Sequence, residues 1–215
     1  MLKIKIAAFI LPALALLIGG CGASTMSARI SDAQLDLATV SASKETPKKD
    51  DWNNMKGIAI MSVGQGGVGI GGEGGGGVLL KHKGKTWGAP YAINAAAGSI
   101  GLQLGGQVKR FLVIFYDDGA MTDFATGGMQ LLAVGEGTGG DATGNTRAKS
   151  AQYKCFIAGS GLFGGLQLGG LNYTPANKVN AAAYGPNASS EDILNGTVAM
   201  PDGMTRLTSA IDAMR

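Results

Sequence analysis

The stretch Phe111-Leu112-Val113-Ile114-Phe115-Tyr116 gives the strongest strand signal in this sequence. It is a continuous apolar run, and it ends at Asp117-Asp118-Gly119, a group of residues that is typical of turns. Adjacent side chains on an extended chain point apart, so Asp117 and Asp118 make a poor acid/base pair. The run therefore predicts a β-strand followed by a turn.

The region upstream of this strand predicts a glycine-rich hairpin. A short strand is expected over residues 56–63, and the apolar pattern resumes at 78–80 after the glycine-dense segment 64–77. Residues 81–85 include three lysines and a glycine and are typical of a turn, and Thr86-Trp87 then starts the return strand.

The region downstream predicts short strands and one clear helix. The strand candidates are residues 131–134, 153–158 and 166–168. Apolar residues at near-helical spacing predict a helix over 204–214 with Asp202 as its cap, and 123–132 is a weaker helix candidate. The pattern predicts an α+β, sheet-dominated single domain with a few short helices.

The composition limits the class of protein. Glycine accounts for 37 of 215 residues, but there are only 6 prolines and no G-X-Y period, which excludes collagen. With 45% hydrophobic and 15% charged residues, the chain is too apolar for a disordered polymer. Its 2 cysteines cannot build a disulfide-rich scaffold. Its net charge of +3 falls to +1 when the expected signal peptide, with Lys3 and Lys5, is removed, and this gives no case for nucleic-acid binding.

The first twenty residues predict a lipoprotein signal peptide. Lys3 and Lys5 precede an uncharged apolar run over 6–18, which is too short to span a membrane. Ile18-Gly19-Gly20-Cys21 resembles a lipobox, so Cys21 is the expected site of lipidation. The alternative is an ordinary secretory signal with an incidental cysteine. Gly22 favours the outer membrane, with the domain facing the periplasm.

The expected organisation has three parts: the signal peptide over 1–20, a lipid-anchored tether with a weak helix over 21–54, and the globular domain over 55–215. The polar segment 44–51 contains Pro47 and is typical of a linker. The hexapeptide at 101–106 recurs letter for letter at 165–170, which indicates either a duplicated hairpin or convergent glycine-rich composition.

The motifs that could support catalysis are weak. Residues 64–69 satisfy G-x-G-x-x-G, but more glycine follows instead of a helix, which argues against a dinucleotide site. His82, the only histidine, lies between two lysines and is expected to be solvated, and Cys155 is expected to pack as a small hydrophobe. We therefore expect no enzyme activity, no metal and no cofactor.

The turn at residues 81–87 is the strongest candidate binding feature. Lys81, Lys83 and Lys85 lie together beside Trp87, within a stretch from 81 to 110 that has five basic and no acidic residues. Lysine is attracted to anionic lipid and tryptophan favours the headgroup level of a bilayer. The alternative is a soluble hairpin tip whose lysines protect a strand edge.

The chain also resembles the SYLF family, a lipid-binding domain that in eukaryotes accompanies SH3 and FYVE domains. The matching pieces are residues 56–60, 77–80, 87–91, 98–105, 160–165, 184–185 and 192–196. Met61-Ser62 and Gly88 depart from the family pattern. The resemblance implies an α+β domain that binds acidic lipid headgroups, and it implies no catalytic residue.

Two functions remain open from the sequence. In the first, a lipid-anchored envelope protein binds anionic membrane lipid through Lys81, Lys83, Lys85 and Trp87. In the second, a structural or interaction lipoprotein binds another envelope protein.

Overall fold

The computed structural model describes residues 25–43, 46–127, 131–132, 152–161 and 170–215. The helices in these residues are α1 (Met26–Ser41), α2 (Lys49–Asn53), α3 (Asp118–Ala125), α4 (Asn177–Tyr184), α5 (Ser190–Asn195) and α6 (Met204–Asp212). The strands are β1 (Gly57–Lys83), β2 (Thr86–Trp87), β3 (Tyr91–Phe115), β4 (Leu131–Leu132), β5 (Tyr153–Gly161) and β6 (Gly170–Pro175). The predicted α+β, sheet-dominated class is confirmed.

Two very long strands form the centre of the molecule. β1 and β3 pair antiparallel from Gly57↔Phe115 to Leu79↔Tyr91, with one register shift between Val68 and Ile70. The expected strands at 56–63 and 78–80 are thus two parts of one strand that also includes the glycine-rich segment. The His82 amide donates to the Lys56 carbonyl at 2.8 Å, so the two ends of β1 lie side by side. The β1–β3 ribbon therefore folds back on itself.

The glycines in the second half of β1 allow this close return. A Cβ atom at Gly77 would overlap the carbonyl oxygen of Ile60, and a Cβ atom at Gly75 would overlap that of Ser62. Only glycine lets two backbones approach this closely. The glycine-dense segment is therefore a packing requirement of the folded ribbon.

The remaining strands extend this ribbon into one antiparallel sheet. Its order is β2-β1-β3-β6-β4, and β5 pairs with the second half of β3 from Gln107↔Gly161 to Phe115↔Tyr153. The predicted strands at 131–134 and 153–158 correspond to β4 and β5, whereas 166–168 lies outside the described residues. The first copy of the repeated hexapeptide lies within β3, and most of the second copy is not described.

The apolar run at the end of β3 is buried on both faces, which explains why it does not alternate with polar residues. Phe111, Val113 and Phe115 face a core formed with α3, α5 and β6, while Leu112 and Ile114 face a second core formed with α1 and α6. The helices supply to these cores Met121, Phe124, Ile193 and Leu194 on the first face and Ile30, Leu37, Leu207 and Ile211 on the second.

The prediction that residues 21–54 form a tether is wrong for α1 and α2. Ile30, Leu37 and Val40 of α1 are almost fully buried against the sheet. The linker prediction for 44–51 fails for the same reason, because Pro47 and Asp51 are buried and α2 begins at Lys49. The folded body therefore includes α1, whose first residue lies about thirty residues before the expected Met55.

Two further helix predictions are resolved. α6 confirms the C-terminal helix, but its N-cap is Gly203 and not Asp202. The weaker helix expected over 123–132 begins earlier, at Asp118, and ends at Ala125. The reason is that Asp117 caps it, accepting a hydrogen bond from the Ala120 amide at 2.9 Å, so the expected turn is a helix start.

The signal peptide and Cys21 lie outside the described residues. Among the residues that the structure does describe, no helix is long and apolar enough to cross a membrane.

Candidate functional site

The predicted turn at residues 81–87 is present. β1 and β2 pair through His82↔Trp87 and Lys83↔Thr86, and the chain reverses at Gly84, whose φ of +70° is in the left-handed region that favours glycine. Apart from its chain neighbours, no described residue has an atom within 4 Å of a Cβ atom placed on Gly84, and Gly84 is exposed at the tip of the turn.

The three predicted lysines differ in their surroundings. Lys81 is partly buried, and its Nζ lies 3.4 Å from Oδ1 of Asp118 at the start of α3. Lys83 is exposed and donates from Nζ to the carbonyl of Asn195 at the end of α5, at 2.7 Å. Lys85 is exposed at the tip of the turn. The structure therefore brings the lysines to one turn but engages two of them with neighbouring helices.

Trp87 packs against the C-terminal helix. Its Nε1 lies 3.3 Å from both carboxylate oxygens of Asp212, and its ring contacts the His82 ring edge-to-face with 4.8 Å between centroids. The indole is half-buried against the core that contains α1 and α6. Trp87 thus joins the turn to α6.

His82 is half-buried, so the expectation that it is solvated is wrong. Its Nε2 is in direct contact with Nη1 of Arg215, which also lies 3.8 Å from Oδ1 of Asp212. Burial lowers the pKa of His82 below its ordinary value, and the charges of Arg215 and Lys56 lower it further against the opposing effect of Asp212. Trp87, His82, Arg215 and Asp212 therefore form a closed ring of contacts.

An open pocket of about 450 Å³ lies beside this ring of contacts. Its lining residues are Asn53, Asn54, Met55, Lys56, His82, Gly84, Tyr116 and Arg215. Lys56 and Arg215 supply two positive charges, the two asparagines supply amide groups, and none of the described lining residues has an acidic side chain. Such a set of groups is suited to an anionic ligand.

One wall of the pocket is fixed by a buried carboxylate. Asp51 accepts hydrogen bonds from Tyr116 Oη, Lys154 Nζ and the Lys48 amide, each at 2.8 Å. Burial alone would raise the pKa of Asp51, but these hydrogen bonds outweigh burial and lower it. An ionised Asp51 thus holds α2 and Tyr116 together and orients the wall that contains Asn53 and Asn54.

Sequence reasoning did not identify Lys56 or Arg215 as site residues. Lys56 precedes β1 and Arg215 follows α6, and the return of β1 and the docking of α6 bring them to His82. The sequence feature that could have drawn attention to Lys56 is its position as the first residue of the segment 56–60, which resembles the SYLF family pattern.

Cys155 is buried with 5% exposure, as expected, and burial raises the pKa of its thiol to about 12. Within the described ranges, no group of three or more metal-ligating side chains comes together.

Comparison with known proteins identifies relatives over most of the chain. The family model described as "Ysc84: Las17-binding protein actin regulator" matches residues 96–214. Protein YSC84 of Saccharomyces cerevisiae is 28% identical over 168 residues, covering 74% of this chain and 36% of the relative. SH3 domain-containing YSC84-like protein 1 of Bos taurus is 32% identical over 167 residues, covering 74% of this chain and 48% of the relative.

The mouse protein of the same name is 33% identical over 155 residues, covering 68% of this chain and 45% of the relative. The chain thus spans half or less of the length of these relatives, and no solved structure matches it. Since the family model matches more than half of the chain, the resemblance seen in the sequence motifs is confirmed: the chain belongs to the Ysc84 family, whose domain is the SYLF domain.

Proposed function

We propose that this chain is a lipid-anchored envelope protein whose SYLF domain binds acidic membrane lipid headgroups without catalysis. One observation carries the proposal: the exposed Lys83 and Lys85 flank Gly84, which lines a pocket whose described lining also contains Lys56 and Arg215 and no acidic side chain. Positive charges that converge on one open surface attract an anionic membrane.

The lysines contribute unequally under this proposal. A lysine near an anionic surface is worth about 1 kcal/mol. Lys81 already faces Asp118, so it has less charge to offer a membrane than Lys85. The indole N–H of Trp87 contacts the Asp212 carboxylate, so under this proposal Trp87 positions the turn while the lysines meet the membrane.

The proposed lipid anchor at Cys21 is supported by the amino-acid sequence alone. Ile18-Gly19-Gly20-Cys21 supports acylation of Cys21, and Gly22 supports residence at the outer membrane with the domain in the periplasm. Metabolic labelling with a fatty-acid probe tests this: the wild-type chain should be labelled and a Cys21→Ser variant should not. A Ser variant that is still labelled would contradict the assignment.

Vesicle capture tests headgroup binding in the full chain. The protein is reconstituted in neutral phosphatidylcholine vesicles, and capture of fluorescent vesicles with or without phosphatidylglycerol is measured. We expect capture of the anionic vesicles alone, and we expect a Lys83→Gln/Lys85→Gln variant to lose most of it. A Lys178→Gln/Arg206→Gln variant loses the same charge from exposed positions on α4 and α6 and should retain capture.

Two results would contradict headgroup binding by this turn: equal capture of neutral vesicles, or equal loss in both variants. The second candidate function, binding of another envelope protein, is favoured by the family description, which names Las17 as a protein partner of its members. A chain that captures no vesicles yet retains its fold would support that alternative.

A further inference from the structure

The pocket beside the turn differs from a diffuse basic surface. Lys56 and Arg215 lie far apart in the sequence, yet the charges of both act on the His82 ring. Because two cations repel each other, bringing both to one ring costs free energy, which the Asp212 carboxylate beside Arg215 lowers. A bound anion would offset that cost.

We propose that this pocket is a discrete binding site for a phosphate-class oxyanion, a phosphomonoester in particular. The two cations would each donate to the oxyanion, and the amide groups of Asn53 and Asn54 would supply neutral donors at the rim. The inference deepens the proposed function and rests on it for the link to membranes, because it assigns the recognised group to one pocket.

His82 positions Arg215 for this role. A guanidinium only donates, so Nε2 of His82 accepts and the ring proton lies on Nδ1. In the part of the chain that the structure describes, the groups that face the ring are Lys56 before β1, Trp87 on β2, and Asp212 and Arg215 at the end of α6. Asp212 contacts both Trp87 and Arg215, so the guanidinium is held at the pocket from two sides.

The pocket has room for more than the phosphate group. Its volume of about 450 Å³ lies within the usual range of small-ligand sites, roughly 300–1,000 Å³, and its open side faces solvent beside the Lys85 turn. A phosphate attached to a lipid and a free phosphate share the same recognised chemistry, and the experiment below separates them.

A titration with inorganic phosphate tests the site in the full chain, kept in neutral detergent micelles. His82 is the only histidine, so its ring protons give one unambiguous NMR signal. We expect a saturable shift of this signal and a rise in the pKa of His82 on binding. Lys56→Gln, which changes an exposed side chain, should weaken phosphate binding at least about tenfold, the effect of one charge-assisted hydrogen bond.

Lys178→Gln removes the same charge from α4 and serves as the control, with affinity within about twofold of wild type. Absence of a saturable shift, or an equal loss in the Lys56 and Lys178 variants, would overturn the discrete site. Circular dichroism checks that each variant is folded.

Vesicles distinguish the two sources of phosphate. Phosphatidic acid presents a phosphomonoester and phosphatidylglycerol a phosphodiester, and the two vesicle types are matched in surface charge. If the lipid is the source, the full chain captures phosphatidic acid vesicles more strongly, and Lys56→Gln removes that preference. If the source is free phosphate, the titration succeeds but capture shows no preference.

The outcomes distinguish the proposal of a phosphate pocket from the proposal of membrane headgroup binding. If the chain captures both vesicle types but phosphate causes no saturable shift of the His82 signal, headgroup binding by the turn is supported and the phosphate pocket is overturned. A successful titration with no capture of any vesicle would support the pocket and contradict the membrane function.

Discussion

The carboxylate of Asp36 on α1 forms an ion pair with Arg110 on β3, with 3.0 Å between Oδ1 and Nε. Both side chains are largely buried, and burial raises the pKa of Asp36 more strongly than its contacts with Ser62 and Arg110 lower it. Arg29, about two helical turns earlier in α1, donates to the Ile93 carbonyl at 2.8 Å and to Asn94 Oδ1 at 2.7 Å. Polar groups as well as apolar ones therefore fix α1 on the sheet.

Replacing Asp36 should strongly destabilise the domain. Asp36→Ala removes the carboxylate that faces the largely buried Arg110 guanidinium, and breaking such a pair costs about 3–5 kcal/mol. Urea unfolding followed by circular dichroism measures the change. Asp32→Ala, an exposed acid on the same helix, should alter the free energy of unfolding by less than about 0.5 kcal/mol. Equal effects at the two positions would show that the ion pair contributes nothing particular.

The glycines of β1 should differ sharply in their tolerance of alanine. Gly77→Ala places a methyl group on the Ile60 carbonyl and should cost at least about 2–3 kcal/mol. Gly64→Ala, where the nearest atom to the new Cβ is the Gly74 oxygen at 3.8 Å, should be neutral or slightly stabilising. Thermal unfolding compares the two variants, and a stable Gly77→Ala protein would refute the close approach.

Stability should decline between neutral and mildly acidic pH because of His82. Its pKa is lowered in the folded state, whereas an unfolded histidine takes up a proton near pH 6.5. As the pH falls through that value, the unfolded state binds the proton first and the folded state loses relative stability. Below the folded pKa the loss is complete and constant.

Unfolding free energies at pH 8 and pH 5.5 measure this loss, and His82→Gln serves as the comparison because no other histidine is present. The variant should show a smaller difference between the two pH values. If both proteins lose the same stability, other groups cause the pH dependence.

The contribution of each lysine of the turn to vesicle capture should depend on the contacts that it already makes in the fold. Lys85→Gln should weaken capture of anionic vesicles by up to about 1 kcal/mol, roughly fivefold, and Lys81→Gln should do less because Lys81 faces Asp118. Capture should also fall steeply with salt, since the Debye length shortens from about 10 Å at 0.1 M to about 3 Å at 1 M. Capture that is insensitive to salt would point to an apolar contact instead.

Local patterns made much of the sheet predictable. The β3 run at 111–115, the β5 segment and α6 are each marked by a short window of apolar residues, so the sequence alone indicates them. The packing of α1 was not predictable in this way, because Arg29 and Asp36 occupy buried positions whose partners lie 64 to 74 residues away in sequence.

Only the part of the site whose residues are close together in sequence could be predicted. Lys83, Lys85 and Trp87 share one hairpin, so composition was enough to select them. Lys56 and Arg215 approach His82 through the folded ribbon and the docking of α6, and neither arrangement leaves a local pattern.

The pairing of β1 with β3 also has a consequence for the order of folding. The two strands are joined through the turn at Gly84, so the Leu79↔Tyr91 pair closes a short loop, while Ile58↔Ile114 closes a long one. Pairing should therefore begin at the turn and proceed outward, and α1 can dock only after the outer pairs have formed. Folding kinetics of variants with truncated side chains would reveal this order of events. Leu79→Ala should mainly slow refolding, and Ile58→Ala should mainly accelerate unfolding.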